Sequence, residues 1–299
     1  MSNYYHYARD TGWGDTLWHL TCALLYCEEN KKDILIDFRG AWLSKDRKNS
    51  FNEYFSGIDT DIKVITDEEE IDANKKDAEK HASKAPKILK IRDASKSDED
   101  LKGFYRNFKR IIPHESILSS LDSFTDSHFA GNYVVGVHAR CSNGEVLPPK
   151  KKGDSDRFHG ERSPIGSIFD IFKERIDYVL FESSWSFLKA YENYKFFVAS
   201  DSKQFVDLFR KEYPQSIVTD RYFAPAGCGT GHKRGEKSTD ADLKKEEEYG
   251  KINIAKEALI DFYLLQETNF LFKNFSRFNE FCLYKGIPNS PIYFQKKCY

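Results

Sequence analysis

The 299-residue chain predicts an α/β protein built from two Rossmann-like domains that face a central cleft. Three observations lead there. The chain opens on a β-loop-α-β unit, in which YYHYA and DILIDFRG flank a glycine turn and an amphipathic stretch, and this order favours a parallel sheet. Its second half repeats the alternation, with the apolar runs GNYVVGVHAR, YKFFVASD and NFLFKNF separated by helical patterns. With 40% apolar and 15% aromatic residues, including 24 Phe and 17 Tyr, the chain can bury a sizeable core.

In chain order, YYHYA is a short strand, RDTGWGD a glycine turn and TLWHLTCALLYCEENK a helix with Leu17, Leu20, Leu24 and Leu25 at helical spacing. DILIDFRG is a buried strand; DIKVI (61–65) and KILKIR (87–92) are further strands. TDEEEIDANKKDAEKHASKAP between them is highly charged and reads as a solvated excursion with some helix. Residues 97–130 are helical, which places the domain boundary near residue 131: an N-terminal domain over 1–130 and a C-terminal domain over 131–299, whose last segment packs back on the first. Beyond that boundary, GNYVVGVHAR is a strand, IGSIFDIFKERIDYVLFESSWSFLKAYE is helical in one or two pieces, and YKFFVASD is a strand. Then come helix SKQFVDLFRKEY, strand SIVTD, helix INIAKEALIDFYLLQET, strand NFLFKNF and helix SRFNEFCLYKG. The glycine-rich, then charged segment APAGCGTGHKRGEKSTDADLKKEEEYG is expected to be a mobile loop near the cleft.

Charge excludes some functions. A net charge of −1 from 46 basic and 47 acidic residues gives no global field for nucleic acid or an anionic membrane. No apolar run approaches the ~18 residues needed to cross a bilayer, and MSNYYHYARD lacks the apolar region of a signal peptide. The six cysteines form no CxxC pair and are expected to be reduced thiols of a cytoplasmic protein. Cysteines and histidines show no metal-ligand spacing, and Asp154 and Asp156 lie in the lysine-rich KKKGDSDRFHGER, where solvation is the safer reading. No metal site is expected.

Three strand tips end alike, in VHARCSNGE, FFVASDSK and FLFKNFSR. In open parallel sheets the ligand crevice lies at the carboxyl ends of the strands, so His138, Arg140, Ser200, Asp201, Ser202, Ser276 and Arg277 are expected to converge. Arginine offers a planar fork for two phosphate oxygens, and Ser276 stands at a helix N-terminus, where free N–H groups face an anion. Each residue has a plainer reading. Arg140 fits an ion pair holding the halves together, Asp201 and Ser276 fit helix caps, and His138 fits a hydrogen-bonded structural role. Gly12 and Gly14 in TGWGDTLW belong to neither GxGxxG nor a Walker loop; they permit a turn or bring backbone close to a ligand.

GWGDTLW with ILIDFRGAWL, KNSFNEYF, GVHARCSNGE, FFVASD, ALIDFYLL and NFSRF, taken in this order, resemble the blocks of the rhizobial nodulation fucosyltransferases and, more broadly, of the α1,6- and protein O-fucosyltransferases. The resemblance spans about residues 8–285, with unmatched charged insertions at 66–86 and 146–163. It implies a GT-B fold and an inverting, metal-independent enzyme that uses GDP-fucose as donor substrate, without a cofactor, and a GlcNAc-containing oligosaccharide as acceptor. It implies that Arg140 grips the diphosphate with His138 beside it, that Asp201 is the acidic position of the second motif, that Asp261 recognises the donor and that Ser276 binds phosphate. The animal α1,6 enzymes carry two adjacent arginines where this chain has Arg140 and Cys141, so the resemblance implies the donor role but not the animal enzymes' substrate specificity. Glu145, one short turn past Arg140, is the first candidate for the base that takes the acceptor's proton; Asp15 and Asp37 come next. Two other functions remain open on the residues alone: another GDP-sugar glycosyltransferase acting on a surface polysaccharide or protein, and a catalytically silent nucleotide- or carbohydrate-binding protein.

Overall fold

The opening β-loop-α-β unit forms as expected in the structure, a computed structural model that describes residues 3–8, 11–40, 44, 46–80, 98–141, 165–182, 193–224, 229–230, 233–234, 240–274 and 276–291. Strand β1 (Tyr4–Ala8) buries Tyr5 and Tyr7 on alternate positions, as a strand's period of two requires. Helix α1 (Trp13–Glu29) is buried along most of its length and leads into β2 (Asp33–Asp37), which pairs in parallel with β1. After α2 (Phe51–Tyr54) and β3 (Phe55–Ile58), the DIKVI stretch forms only the two-residue β4 (Val64–Ile65). KILKIR lies outside the described residues.

The charged excursion at 66–86 does more than solvate. Asp67 caps α3 (Glu68–Asn74) by accepting from Glu70 N, and Ile71 and Ala78 pack beneath Leu35 and Ile65. The segment then supplies β5 (Glu79–Lys80), completing a parallel sheet of order β4-β2-β1-β5. Two buried apolar residues suffice to dock it, and its charges fall on an edge strand, where they discourage further pairing.

Residues 98–128 are not helical throughout. Between α4 (Asp98–Phe108) and α5 (Glu115–His128), β6 (Ile111–Pro113) pairs antiparallel with β3. Beyond it, β7 (Tyr133–Ala139) is buried from Val134 onward, as a strand covered on both faces of a parallel sheet must be. Then follow α6 (Ile165–Asp177), a π-helical turn (Tyr178–Glu182), β8 (Tyr194–Ser200), α7 (Lys203–Glu212) and β9 (Ser216–Ile217). The region expected to be one mobile loop contains a short hairpin, β10 (Gly229–Thr230) with β11 (Lys233–Arg234), and helix α8 (Asp240–Tyr249). Helix α9 (Lys251–Leu265), β12 (Phe270–Lys273), a 3-10 turn (Arg277–Asn279) and α10 (Glu280–Lys285) complete the alternation. A last strand, β13 (Asn289–Pro291), was not expected: Pro288 and Pro291 hid it, and it lies at the sheet edge, where proline is tolerated. This second sheet, of order β13-β12-β7-β8-β9, is parallel throughout.

The sheets divide on either side of residue 131, but the cores do not. One apolar cluster combines Trp13, Leu17, Phe38, Phe51 and Phe108 of the first half with Leu259, Phe262, Phe281 and Tyr284 of the second. Trp13 Nε1 donates to Ala255 O at 2.7 Å in the same region. Gly14 makes the closest approach: a Cβ there would lie 2.4 Å from Phe278 N and 2.5 Å from Arg277 C. Only glycine lets the first turn of α1 rest on the backbone of the turn after β12.

Candidate active site

Parallel pairing carries three strand tips to one edge of the second sheet: His138 stands opposite Ala199 on one side and Lys273 on the other. Arg140, just past β7, is held through its backbone by Asn274, whose Oδ1 accepts from Arg140 N at 3.0 Å and whose Nδ2 donates to Arg140 O at 2.9 Å. That buried asparagine fixes where the arginine leaves the sheet. The guanidinium, 26% exposed, sets Nη1 2.7 Å from Asp201 Oδ2. This is an ion pair without hydrogen-bond alignment, because Oδ2 accepts no hydrogen bond. Arg140 carries five N–H donors, and its approach to Asp201 is through Nη1. The expected pair between the halves is therefore a pair within one sheet.

Asp201 does not cap a helix. Its Oδ1 accepts from Cys141 N at 2.7 Å, and Ser202 caps α7 by accepting from Phe205 N. Ser200 Oγ donates to Ala139 O at 2.8 Å, so the β8 tip braces the β7 tip twice. Burial pushes the Cys141 thiol well above its ordinary value, and the Asp201 carboxylate adds to this; Cys141 is no nucleophile. It is one of four free, buried cysteines among the described residues.

His138 is buried and stacks on Phe278, with ring centroids 5.1 Å apart and planes 15° from parallel. Asn279 Nδ2 lies 2.7 Å from its Nδ1. Burial, with Arg140, Lys273 and Arg221 adding positive potential, pushes the imidazole pKa down to about 3, so the ring is neutral at physiological pH. Ser276 caps the 3-10 turn, its Oγ accepting from Phe278 N at 3.2 Å, which is the plainer of its two readings.

Arg277 reaches across to α1, where Nη1 lies 2.6 Å from Asp15 Oδ1 and the guanidinium sits 4.9 Å over the Trp18 ring. The approach at Gly14 forces this, because it places Asp15 and Trp18 directly against the residue that follows Ser276. Gly14 thus meets protein backbone. Gly12 caps α1 at φ −59°, a conformation open to any residue. Asp261 is only 1% exposed on α9. Its oxygens accept from Thr219 Oγ1 at 2.6 Å and from Arg221 Nη1, and burial pushes its carboxyl up against the opposing pull of Arg221. Arg221 Nε is buried without a hydrogen-bond partner.

Of the base candidates, Glu145 lies outside the described residues. Asp37 is held in a network: burial pushes its carboxyl up, but hydrogen bonds from Arg39 and His6 outweigh this and keep it well below the usual carboxylate range. A carboxylate so strongly stabilised is a poor proton acceptor. Asp15 is 43% exposed in the first turn of α1. Lys273, Asn274, Asn279 and Arg221 were missed. The first two lie inside a strand tip already singled out, whereas Asn279 and Arg221 carry no signal in a linear reading. Among the described residues, no three or more His, Cys, Asp and Glu side chains gather as a metal would require, and no helix is long and apolar enough to cross a membrane.

The chain is 22% identical over 262 residues to nodulation protein Z of Azorhizobium caulinodans, a match covering 75% of each chain. A crystal structure of the fucosyltransferase NodZ from Bradyrhizobium matches with a TM-score of 0.59 and 17% identity over 95% of this chain and 92% of that one. A structure of NodZ α-1,6-fucosyltransferase soaked with GDP-fucose matches with a TM-score of 0.58, 17% identity and the same coverage. No protein-family model matches the chain. The fold is GT-B, and the resemblance to the nodulation fucosyltransferases that the motifs carried extends over most of the chain.

Proposed function

We propose that this protein is a GDP-fucose-dependent glycosyltransferase that moves L-fucose from GDP-β-L-fucose to the 6-OH of a GlcNAc-containing oligosaccharide, with inversion and without a metal. The observation that carries the reading is the β7 tip. There a partly exposed Arg140, anchored by Asn274 and Asp201, stands two residues from a neutral His138. Nodulation protein Z and the GDP-fucose-soaked relative support the donor class.

In this reaction the acceptor oxygen forms a bond to the anomeric carbon while the carbon–oxygen bond to the β-phosphate breaks. The acceptor proton passes to a carboxylate, and GDP leaves with the bonding pair. Positive charge is therefore needed where the phosphate oxygen gains negative charge. Arg140 supplies it through the donors that Asp201 does not hold, and the neutral His138 offers an N–H without the desolvation cost of a buried cation. Asp15 and Glu145 are the base candidates this reading retains, and it places the enzyme in the cytoplasm, in keeping with the free buried thiols.

A screen of GDP-sugars against chitooligosaccharides, read by mass spectrometry with and without EDTA, tests the proposal. The expected product carries one added deoxyhexose and forms equally in both. Transfer of another sugar would reassign the donor, and GDP binding without transfer would make the chain a binder. Absence of thermal stabilisation by any GDP compound would overturn the reading. Glu145→Gln and Asp15→Asn separate the bases: the true one loses about 10²–10⁴-fold in turnover while GDP binding persists.

A further inference from the structure

Asn279 is fully buried directly behind His138, at the end of the 3-10 turn that follows Ser276. Its Nδ2 lies 3.0 Å from Asn274 O and 2.7 Å from His138 Nδ1, and its Oδ1 lies 3.4 Å from Lys273 Nζ. The amide cannot be turned over without penalty. Reversal would set Oδ1 against the Asn274 carbonyl, which only accepts, and turn the NH2 toward an ammonium, which only donates. Both hydrogens of Nδ2 are thereby assigned, one to the carbonyl and one to the ring nitrogen. His138 Nδ1 must then accept, and the one proton of a neutral imidazole resides on Nε2.

We propose that Asn279 is a positioning residue that locks His138 in its Nε2–H form, so that the ring can only donate a hydrogen bond to the nucleotide-sugar and cannot act as a base. This rests on the proposed donor reading for its ligand, but not for the tautomer. Each group that faces the ring works in the same direction. Arg140 just past its own strand, Lys273 on β12 and Arg221 beyond β9 are all cationic and disfavour a second ring proton. Phe278 holds the ring plane. Asn274 joins the two functions, since one side chain clamps Arg140 while its own carbonyl orients Asn279. Anchoring of the arginine and choice of the histidine proton are therefore parts of one hydrogen-bonded unit.

The test is 15N NMR of histidine-labelled protein, with the His138 signals identified by their loss in His138→Asn. In the ligand-free protein, Nδ1 is expected to be unprotonated and Nε2 protonated throughout about pH 5 to about pH 8. An Nδ1–H tautomer or an imidazolium in that range would overturn the proposal, whether or not any variant folds. Asn279→Asp replaces the donor by an acceptor of the same shape. It should place a proton on Nδ1 and bring His138 titration into the measured range. GDP affinity should fall about tenfold or more at the alkaline end, the loss of one hydrogen bond to a charged group, and recover with the midpoint of the His138 titration. A folded Asn279→Asp whose His138 keeps its tautomer would refute the positioning role. If the wild type shows the expected tautomer but binds no GDP compound, the donor reading fails while the assignment of the proton stands.

Discussion

At the scale of single residues, the site depends on charges that are partly committed before any ligand arrives. Arg140→Ala should lower turnover about 10²-fold or more, the usual effect of removing one donor that faces developing negative charge. The fold should survive at a cost of about 1–3 kcal/mol, because Asp201 keeps its bond from Cys141 N but loses the cation beside its buried Oδ2; full activity in a kinetic assay would exclude the diphosphate role. Arg221→Ala leaves Asp261 as a lone buried charge and should cost about 3–5 kcal/mol in urea unfolding, whereas replacing both residues by apolar side chains should recover most of it. His138 links stability to pH. Its folded pKa of about 3 lies below the ordinary 6.5, so protons bind the unfolded chain more readily. The contribution is complete above pH 6.5 and is lost as pH falls toward 3, with a slope of about 1.4 kcal/mol per pH unit. His138→Asn keeps an acceptor for Asn279 but cannot titrate, so its stability should fall less steeply below pH 6.5. Parallel curves for the two proteins would show that His138 is not held neutral.

At the scale of elements, α1 and the turn after β12 are one joint. Gly14→Ala places a methyl group against backbone that no rotamer change can move and should cost about 1–3 kcal/mol, typical of overpacking. It should also weaken GDP binding, because it displaces the turn that carries Ser276, Phe278 and Asn279; unchanged thermal stability would contradict the tight joint. The elements that were legible in the sequence are those whose burial is periodic or continuous, such as β7, β8 and α9. Those that were not are docked by very little apolar surface: α3 and β5 by Ile71 and Ala78, and β13 by a short edge pairing between two prolines. Local composition is a weak guide where so few contacts decide the outcome.

At the scale of the molecule, two sheets share a core. Helices α9 and α10 lie between strands of the second sheet in sequence, yet Leu259, Phe262, Phe281 and Tyr284 complete the cluster around Trp13 and Phe108. Cutting the chain near residue 131 would expose these faces, so neither half should fold cooperatively alone, and the whole chain should unfold in one calorimetric transition. Two resolved transitions would show that the halves are energetically separate despite the common cluster. The Arg277–Asp15 pair spans the same boundary.

By itself the sequence determined the α/β class, the parallel order of the main strands and the three strand tips that meet at one edge, because hydrophobic period and strand-end polarity are local properties. It also determined, through the order of its motifs, which family the chain resembles. Only the tertiary structure decided the partners: Arg140 with Asp201, Asp261 with Arg221, Arg277 with Asp15, and His138 with Asn279. The physical reason is distance along the chain. These pairs are separated by about 40 to about 260 positions, and which side chains meet depends on how strands register and where a glycine lets backbones touch, which no local pattern encodes.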